Sequence, residues 1–171
     1  MNKTPLHTPT SVPYMSRAPW NHARPGALVI ACSDGRLQEN LDDFLSGHLG
    51  ITRYDRLYAP GGPGALASSG YEFLRSDAFA RECQFLVEAH ELEDVYLVFH
   101  GPAEDGPDDA VCADYRRLFP RHSATQIREE QEKDARGILQ QGFGWKRPVR
   151  VHVYRCEVTG SGTVQFVKLA L

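Results

Sequence analysis

The stretch Ala27-Leu28-Val29-Ile30-Ala31-Cys32-Ser33-Asp34-Gly35-Arg36 decides the fold. Its first five residues are apolar without alternation, which suits a short strand covered on both faces, as in a parallel sheet. Its last five are small, polar and charged, so the strand ends in a turn that presents a thiol, a carboxylate and a guanidinium together. Downstream, Leu41, Phe44, Leu45 and Leu49 recur at helical spacing up to Gly50. Tyr54 to Ala59 reads as a second strand, broken by Pro60-Gly61-Gly62-Pro63-Gly64. Phe79, Cys83, Leu86, Val87 and His90 then mark one face of a long helix. Val95-Tyr96-Leu97-Val98-Phe99 reads as a third strand ending at His100.

The rest continues the alternation. Gly101 to Val111 is a loop by composition, Cys112 opens a short helix stopped by Pro120, and residues 123 to 141 form a polar helix anchored by Ile127, Ile138 and Leu139. That helix's charge run reads as a solvated face. Residues 149 to 155 and 163 to 169 alternate around Thr159-Gly160-Ser161-Gly162, an edge strand and a hairpin partner in which His152 and Cys156 read as structural. Strands alternating with helices predict an α/β fold with a mainly parallel central sheet flanked by helices. Residues 1 to 26 stand apart as an arm holding five of the chain's 11 prolines (Pro5, Pro9, Pro13, Pro19, Pro25), and residues 27 to 171 form a single α/β domain. The arm carries Tyr14, Met15 and Trp20, which either dock on their own domain or reach across a partner subunit.

Composition narrows the function. The 171 residues carry 19 Lys plus Arg against 22 Asp plus Glu, a formal charge of −3, without the basic stripe of a nucleic-acid binder. No apolar run approaches the roughly 18 residues of a membrane span. The first 26 residues lack the apolar segment of a secretory signal, so a cytoplasmic protein is expected. Four widely spaced cysteines, Cys32, Cys83, Cys112 and Cys156, do not make a disulfide framework; each is a packed small hydrophobe, a nucleophile or a metal ligand. Cys83 lies on an apolar helical stripe and reads as core.

In an open parallel sheet, ligands bind beyond the carboxyl ends of the strands where strand order reverses. Cys32 and His100 both follow apolar strands, and Cys112 opens a helix whose N-terminal dipole is expected to favour its thiolate. If the first and third strands are neighbours, two thiolates and an imidazole make a donor set for tetrahedral Zn²⁺ with one position left over. The bland alternative is three unrelated buried residues. Asp34 and Arg36 line the same mouth, and a bidentate pair would keep the carboxylate ionised. The glycine-rich segment after the second strand matches neither G-x-G-x-x-G nor a Walker loop and reads as a tight turn. Cys32 and Arg36 are too close in sequence for a phosphate-cradling cysteine phosphatase loop.

Cys32-Ser33-Asp34-Gly35-Arg36 resembles the Cys-x-Asp-Ser-Arg signature of the β-class carbonic anhydrases, and His100 with Cys112-Ala113 resembles the family's second zinc motif, His-x-x-Cys-Gly. Ala59-Pro60-Gly61-Gly62 stands where the family has a small-residue segment. The resemblance runs from about Leu28 to Tyr115, and more weakly to the closing strand. It implies one Zn²⁺ per chain held by Cys32, His100 and Cys112, with Asp34 and Arg36 as the catalytic dyad. It further implies a lyase that reversibly hydrates CO₂ to bicarbonate in a homodimer or homotetramer whose arms embrace the neighbour. The metal's role is to lower the pKa of water from about 15.7 toward 7. Asp34 would orient the nucleophile, and Arg36 would hold Asp34 off the zinc. Two departures stand out. Eleven residues separate His100 from Cys112 where the family has two, and they bring Glu104, Asp105, Asp108 and Asp109 toward the site, as proton shuttles, as an entrance wall or as a replacement ligand. Gly35 and Ala113 replace a serine and a glycine. Hydrolysis of a CO₂ analogue such as carbonyl sulfide or carbon disulfide, and a non-catalytic zinc protein, are the competing readings.

Overall fold

The computed structural model describes residues 13–67, 72–142 and 145–171. Five strands form one sheet in the order β2-β1-β3-β4-β5: β1 (Ala27–Cys32), β2 (Asp55–Ala59), β3 (Asp94–Pro102), β4 (Arg150–Val158) and β5 (Val164–Lys168). The first four are parallel; β5 returns antiparallel on β4 across the Thr159–Gly162 turn. The helices are α1 (Gln38–Asp43), which continues as a π-turn over Phe44–His48, α2 (Phe73–His90), α3 (Ala113–Leu118) and α4 (Ala124–Gln141).

The two-sided burial expected of the opening strand is present. Leu28 and Ile30 pack with Cys83 and Val87 of α2 and Ile127, Ala135 and Ile138 of α4; Val29 and Ala31 face Leu41, Phe44 and Leu45 on the other side. Each such side chain contributes on the order of 2 kcal/mol by leaving water. The chain leaves β1 toward β2 on one side and returns to β3 on the other, so the carboxyl ends of β1 and β3 frame the switch point of the sheet.

Three local expectations are corrected. The third strand does not end at His100 but runs to Pro102, because β4 pairs with it through His100↔Cys156 and Pro102↔Val158; Cys156 accordingly lies inside β4. Leu139 is 38% exposed, and the stripe of α4 instead buries Ile127, Gln131, Ala135 and Ile138. Nor is the polar face of α4 wholly solvated, since its Arg128 reaches Glu157 of β4 at 3.2 Å. In the arm, Pro5 and Pro9 lie outside the described residues, and residues 13 to 26 form no helix or strand. Tyr14, Met15 and Trp20 are 86%, 83% and 88% exposed, so they do not dock on their own domain. Among the described residues no helix is long and apolar enough to cross a membrane.

Candidate metal centre

The site is assembled from three chain segments. Cys32 ends β1, His100 lies near the end of β3, and Cys112 caps α3. Parallel pairing of β1 with β3, Ala31 opposite Val98, brings the first two to one crevice. The glycine-rich segment closes it from behind: Gly61 and Gly62 have positive φ, and a Cβ on Gly62 would stand 2.7 Å from the Cys32 amide nitrogen. The tight-turn reading of these glycines therefore holds, and the turn packs directly on the strand that carries the thiol.

Cys112 is fixed through its helix. Asp114, in the first turn of α3, accepts from Arg75 of α2 at 3.0 Å and from Arg117 at 3.0 Å. The buried Tyr115 donates to Asp134 of α4 at 2.6 Å. These bonds tie α3 to both long helices and bring its capping thiol over the ends of β1 and β3.

The result is one cluster. The ligand atoms of Cys32, His100 and Cys112 all lie within 4.8 Å of one another, and the two sulfurs are 4.0 Å apart. Two thiolates on a tetrahedral Zn²⁺, with bonds of roughly 2.3 Å, stand about 3.8 Å apart. Among the described residues, both ring nitrogens of His100 are buried without a hydrogen-bond partner. An imidazole so placed carries a desolvation cost that nothing in the protein offsets, and a cation between it and the sulfurs would offset it. The donors present thus fit zinc.

The contact couples the two thiols. The hydrogen bond from Cys112 draws Cys32 down to about 4, against burial and with help from His100 and the Asp34 amide. The same contact, together with burial, pushes Cys112 up, although the amides of Asp114 and Tyr115 oppose it.

Asp34 and Arg36 form the expected pair. The guanidinium donates Nε to Oδ1 at 3.0 Å and Nη2 to Oδ2 at 2.6 Å, while Asp34 also caps the following turn by accepting from the Arg36 amide at 3.1 Å. These bonds hold the Asp34 carboxyl below the usual carboxylate range. Arg36 reaches on to the Asp109 carbonyl at 3.1 Å, which fastens the dyad to the inserted segment.

That segment is tightly wound. The Ala103 amide donates to Val158 at 2.8 Å, Gly106 turns back onto Ala103, and Ala110 onto Pro107. Asp108 is engaged by Arg116 at 2.7 Å. Among the described residues, none of Glu104, Asp105, Asp108 and Asp109 joins the Cys-His-Cys group, so no replacement ligand is present. Pro107, Asp109 and Ala110 instead wall a recess of mixed lining that also contains Arg36 and His100.

On the other side of His100 lies a cavity of about 160 Å³, lined by Cys32, Asp34, Tyr58, Phe99, Cys156 and Phe166, among others. Sequence reasoning did not assign this lining. It also passed over Gln131, Arg155 and Glu157, buried polar groups behind His100. A signal was there: Arg155 continues the inward register of Val151 and Val153, and Gln131 stands one turn from both Ile127 and Ala135.

No protein-family model and no curated protein matches the chain. Among solved structures, the carbonic anhydrase of Streptococcus mutans is similar at 13% identity, with 88% of this chain and 87% of that one covered and a TM-score of 0.49. For the β-carbonic anhydrase CafA of Aspergillus fumigatus the values are 19%, 84%, 76% and 0.43. For a carbon disulfide hydrolase in its apo form they are 14%, 84%, 78% and 0.44. The solved structures to which this chain is similar thus include β-carbonic anhydrases and a carbon disulfide hydrolase.

Proposed function

We propose that this chain is a zinc enzyme of the carbonic anhydrase type that reversibly hydrates CO₂, with Cys32, His100 and Cys112 as metal ligands and Asp34 and Arg36 as its catalytic pair. The observation that carries the reading is the convergence of two thiols and an orphaned imidazole from three distant segments. Zinc bound there supplies Lewis-acid activation of water at neutral pH.

The chain's own residues supply the rest. Asp34, kept ionised by Arg36, would accept a hydrogen bond from the attacking water and so turn its lone pair toward the cavity. Arg36 is itself anchored at Asp109, so the carboxylate is held at the mouth and does not swing toward the ligands. Leu37, Leu41, Val98, Phe99 and Phe166 give the cavity apolar walls, suited to a substrate that offers little to hydrogen-bond.

A second reading keeps the metal and changes the substrate to a sulfur analogue such as carbonyl sulfide or carbon disulfide. It is favoured by the cavity, whose 160 Å³ is several times the roughly 30 Å³ of one water and includes Cys156 among its lining. The decisive experiment assays CO₂ hydration and carbonyl sulfide hydrolysis on one zinc-loaded preparation. CO₂ hydration well above the uncatalysed rate supports the first reading, and hydrolysis alone the second. Stoichiometric zinc with neither activity would leave a non-catalytic metal protein.

The exposed Tyr14, Met15 and Trp20 of the arm fit a second copy of the chain better than water. We propose a homodimer or homotetramer, tested by sedimentation of the full chain against a chain lacking residues 1 to 26.

A further inference from the structure

A metal-binding histidine is ordinarily oriented by a hydrogen bond on its other ring nitrogen, which fixes the ring and raises its basicity. Among the described residues His100 has no such bond, since neither nitrogen has a hydrogen-bond partner. Its strand is also thinly supported. β1 stops pairing with β3 at Val98, so beyond that point β3 has a strand neighbour only in β4. Something else must hold the peptide from which the imidazole projects.

A buried polar clamp does so. Gln131 of α4 donates Nε2 to the His100 carbonyl at 2.9 Å, and its Oε1 accepts from Arg155 Nε at 3.2 Å. Arg155 also donates Nη1 to the Pro102 carbonyl at 3.0 Å and to Glu157 at 2.7 Å. Glu157 is completed by Arg128 at 3.2 Å and Gln165 at 2.9 Å. The carbonyls of His100 and Pro102 are therefore both gripped from α4 and β4. Gln131 and Arg155 are each 1% exposed.

Stability does not account for this arrangement. A buried ion pair costs several kcal/mol per ion in desolvation, and apolar residues of similar size often serve as well or better. What apolar residues cannot do is hold two carbonyls at a fixed angle. We propose that Gln131, aligned by the Arg155–Glu157 pair, is the positioning residue for His100, fixing through the backbone the ring orientation that a hydrogen bond to the imidazole fixes at other zinc sites. The inference rests on the metal reading above and names the device that makes the site selective for a metal.

Two variants test it. Gln131→Met removes both hydrogen bonds. Gln131→Glu keeps an acceptor for Arg155 and removes only the donor to His100, so it remains informative if the first does not fold. Zn²⁺ affinity by chelator competition is expected to fall about ten- to a hundredfold in Gln131→Glu. Its Co²⁺-substituted form should show altered visible bands, and the His100 ring ¹⁵N signals of the metal-free protein should split or broaden. Zn²⁺ binding within twofold of wild type, with unaltered Co²⁺ bands, would overturn the inference even if the melting temperature dropped. Wild-type protein that takes up no Zn²⁺ would overturn the metal reading itself, and this inference with it.

Discussion

Cys32 Sγ and Cys112 Sγ stand 4.0 Å apart although eighty positions separate them in the chain, close enough for either thiol to donate to the other. Charge settles on Cys32, drawn down to about 4 by the Cys112 hydrogen bond, while burial pushes Cys83 and Cys156 up to about 12. Since the thiolate is the reactive form, iodoacetamide at pH 6 should modify Cys32 first in metal-free protein and spare Cys83 and Cys156 while the fold persists. Added Zn²⁺ should protect Cys32. Peptide mass mapping checks both, and early labelling of Cys83 would contradict the thiol assignment.

Removing a ligand should remove the metal. Wild-type protein is expected to carry about one zinc per chain, and Cys112→Ser to lose most of it, by elemental analysis after gel filtration. Stripping zinc from wild type should also lower the melting temperature, because a ligand at a hundred times its Kd stabilises the fold by about 2.7 kcal/mol. Undiminished zinc in Cys112→Ser would place the third ligand elsewhere.

Much of this was legible in the sequence, for identifiable reasons. The run at Leu28 to Ala31 announced a doubly covered strand because a parallel sheet leaves neither face to water, and Cys32 and His100 were conspicuous as donors at strand ends. Less legible was what depends on distant pairing. That β3 continues past His100 follows from β4, more than forty positions on, whose register no local pattern encodes. The same holds for the clamp: local spacing marks Gln131 and Arg155 as inward positions, but only the stacking of α4 over the sheet determines which carbonyls they grip. The helix terminus at Cys112 is visible from sequence, whereas the 4.0 Å contact between the two sulfurs is not.

The turn behind the site should be intolerant of side chains. Gly62 has φ +56° and a Cβ there would come within 3.0 Å of β1 backbone atoms, which cannot retreat without moving Cys32. Gly62→Ala should therefore cost about 1–3 kcal/mol and weaken zinc binding. Gly137, inside α4, has nothing within 4 Å of its Cβ position, so Gly137→Ala should stabilise by about 0.5–1 kcal/mol. Urea melts of the two variants give opposite signs; equal effects would remove the close approach from the explanation.

Asp34 should matter to turnover and not to metal retention, because its carboxylate is spent on Arg36 and the turn and is not part of the ligand group. Asp34→Ala is expected to lower kcat for CO₂ hydration about 10²-fold or more, as for loss of a side chain that orients the nucleophile, with zinc near one per chain. Full activity in that variant would take the pair out of the mechanism.

At the opposite end of the sheet, acid should weaken the fold through Asp94, which opens β3. Arg150 donates to both of its oxygens, at 2.8 and 2.7 Å, and His152 Nε2 lies 2.8 Å from one of them. The Arg150 guanidinium, more than His152, holds this carboxyl below the usual range. A carboxylate with a depressed folded-state pKa stabilises the fold fully above its unfolded value, about 3.9, and loses that contribution as the pH falls through the folded value. Arg150 is open to water while Asp94 is mostly covered, so solvent screens the pair and its contribution is small. With His152→Gln in both backgrounds, the melting-temperature gap between the protein with Asp94 and Asp94→Asn should therefore be constant from about pH 5 to 7 and close only at more acid pH. A gap that instead widened as the pH fell would mean that Asp94 is not the charged partner of Arg150.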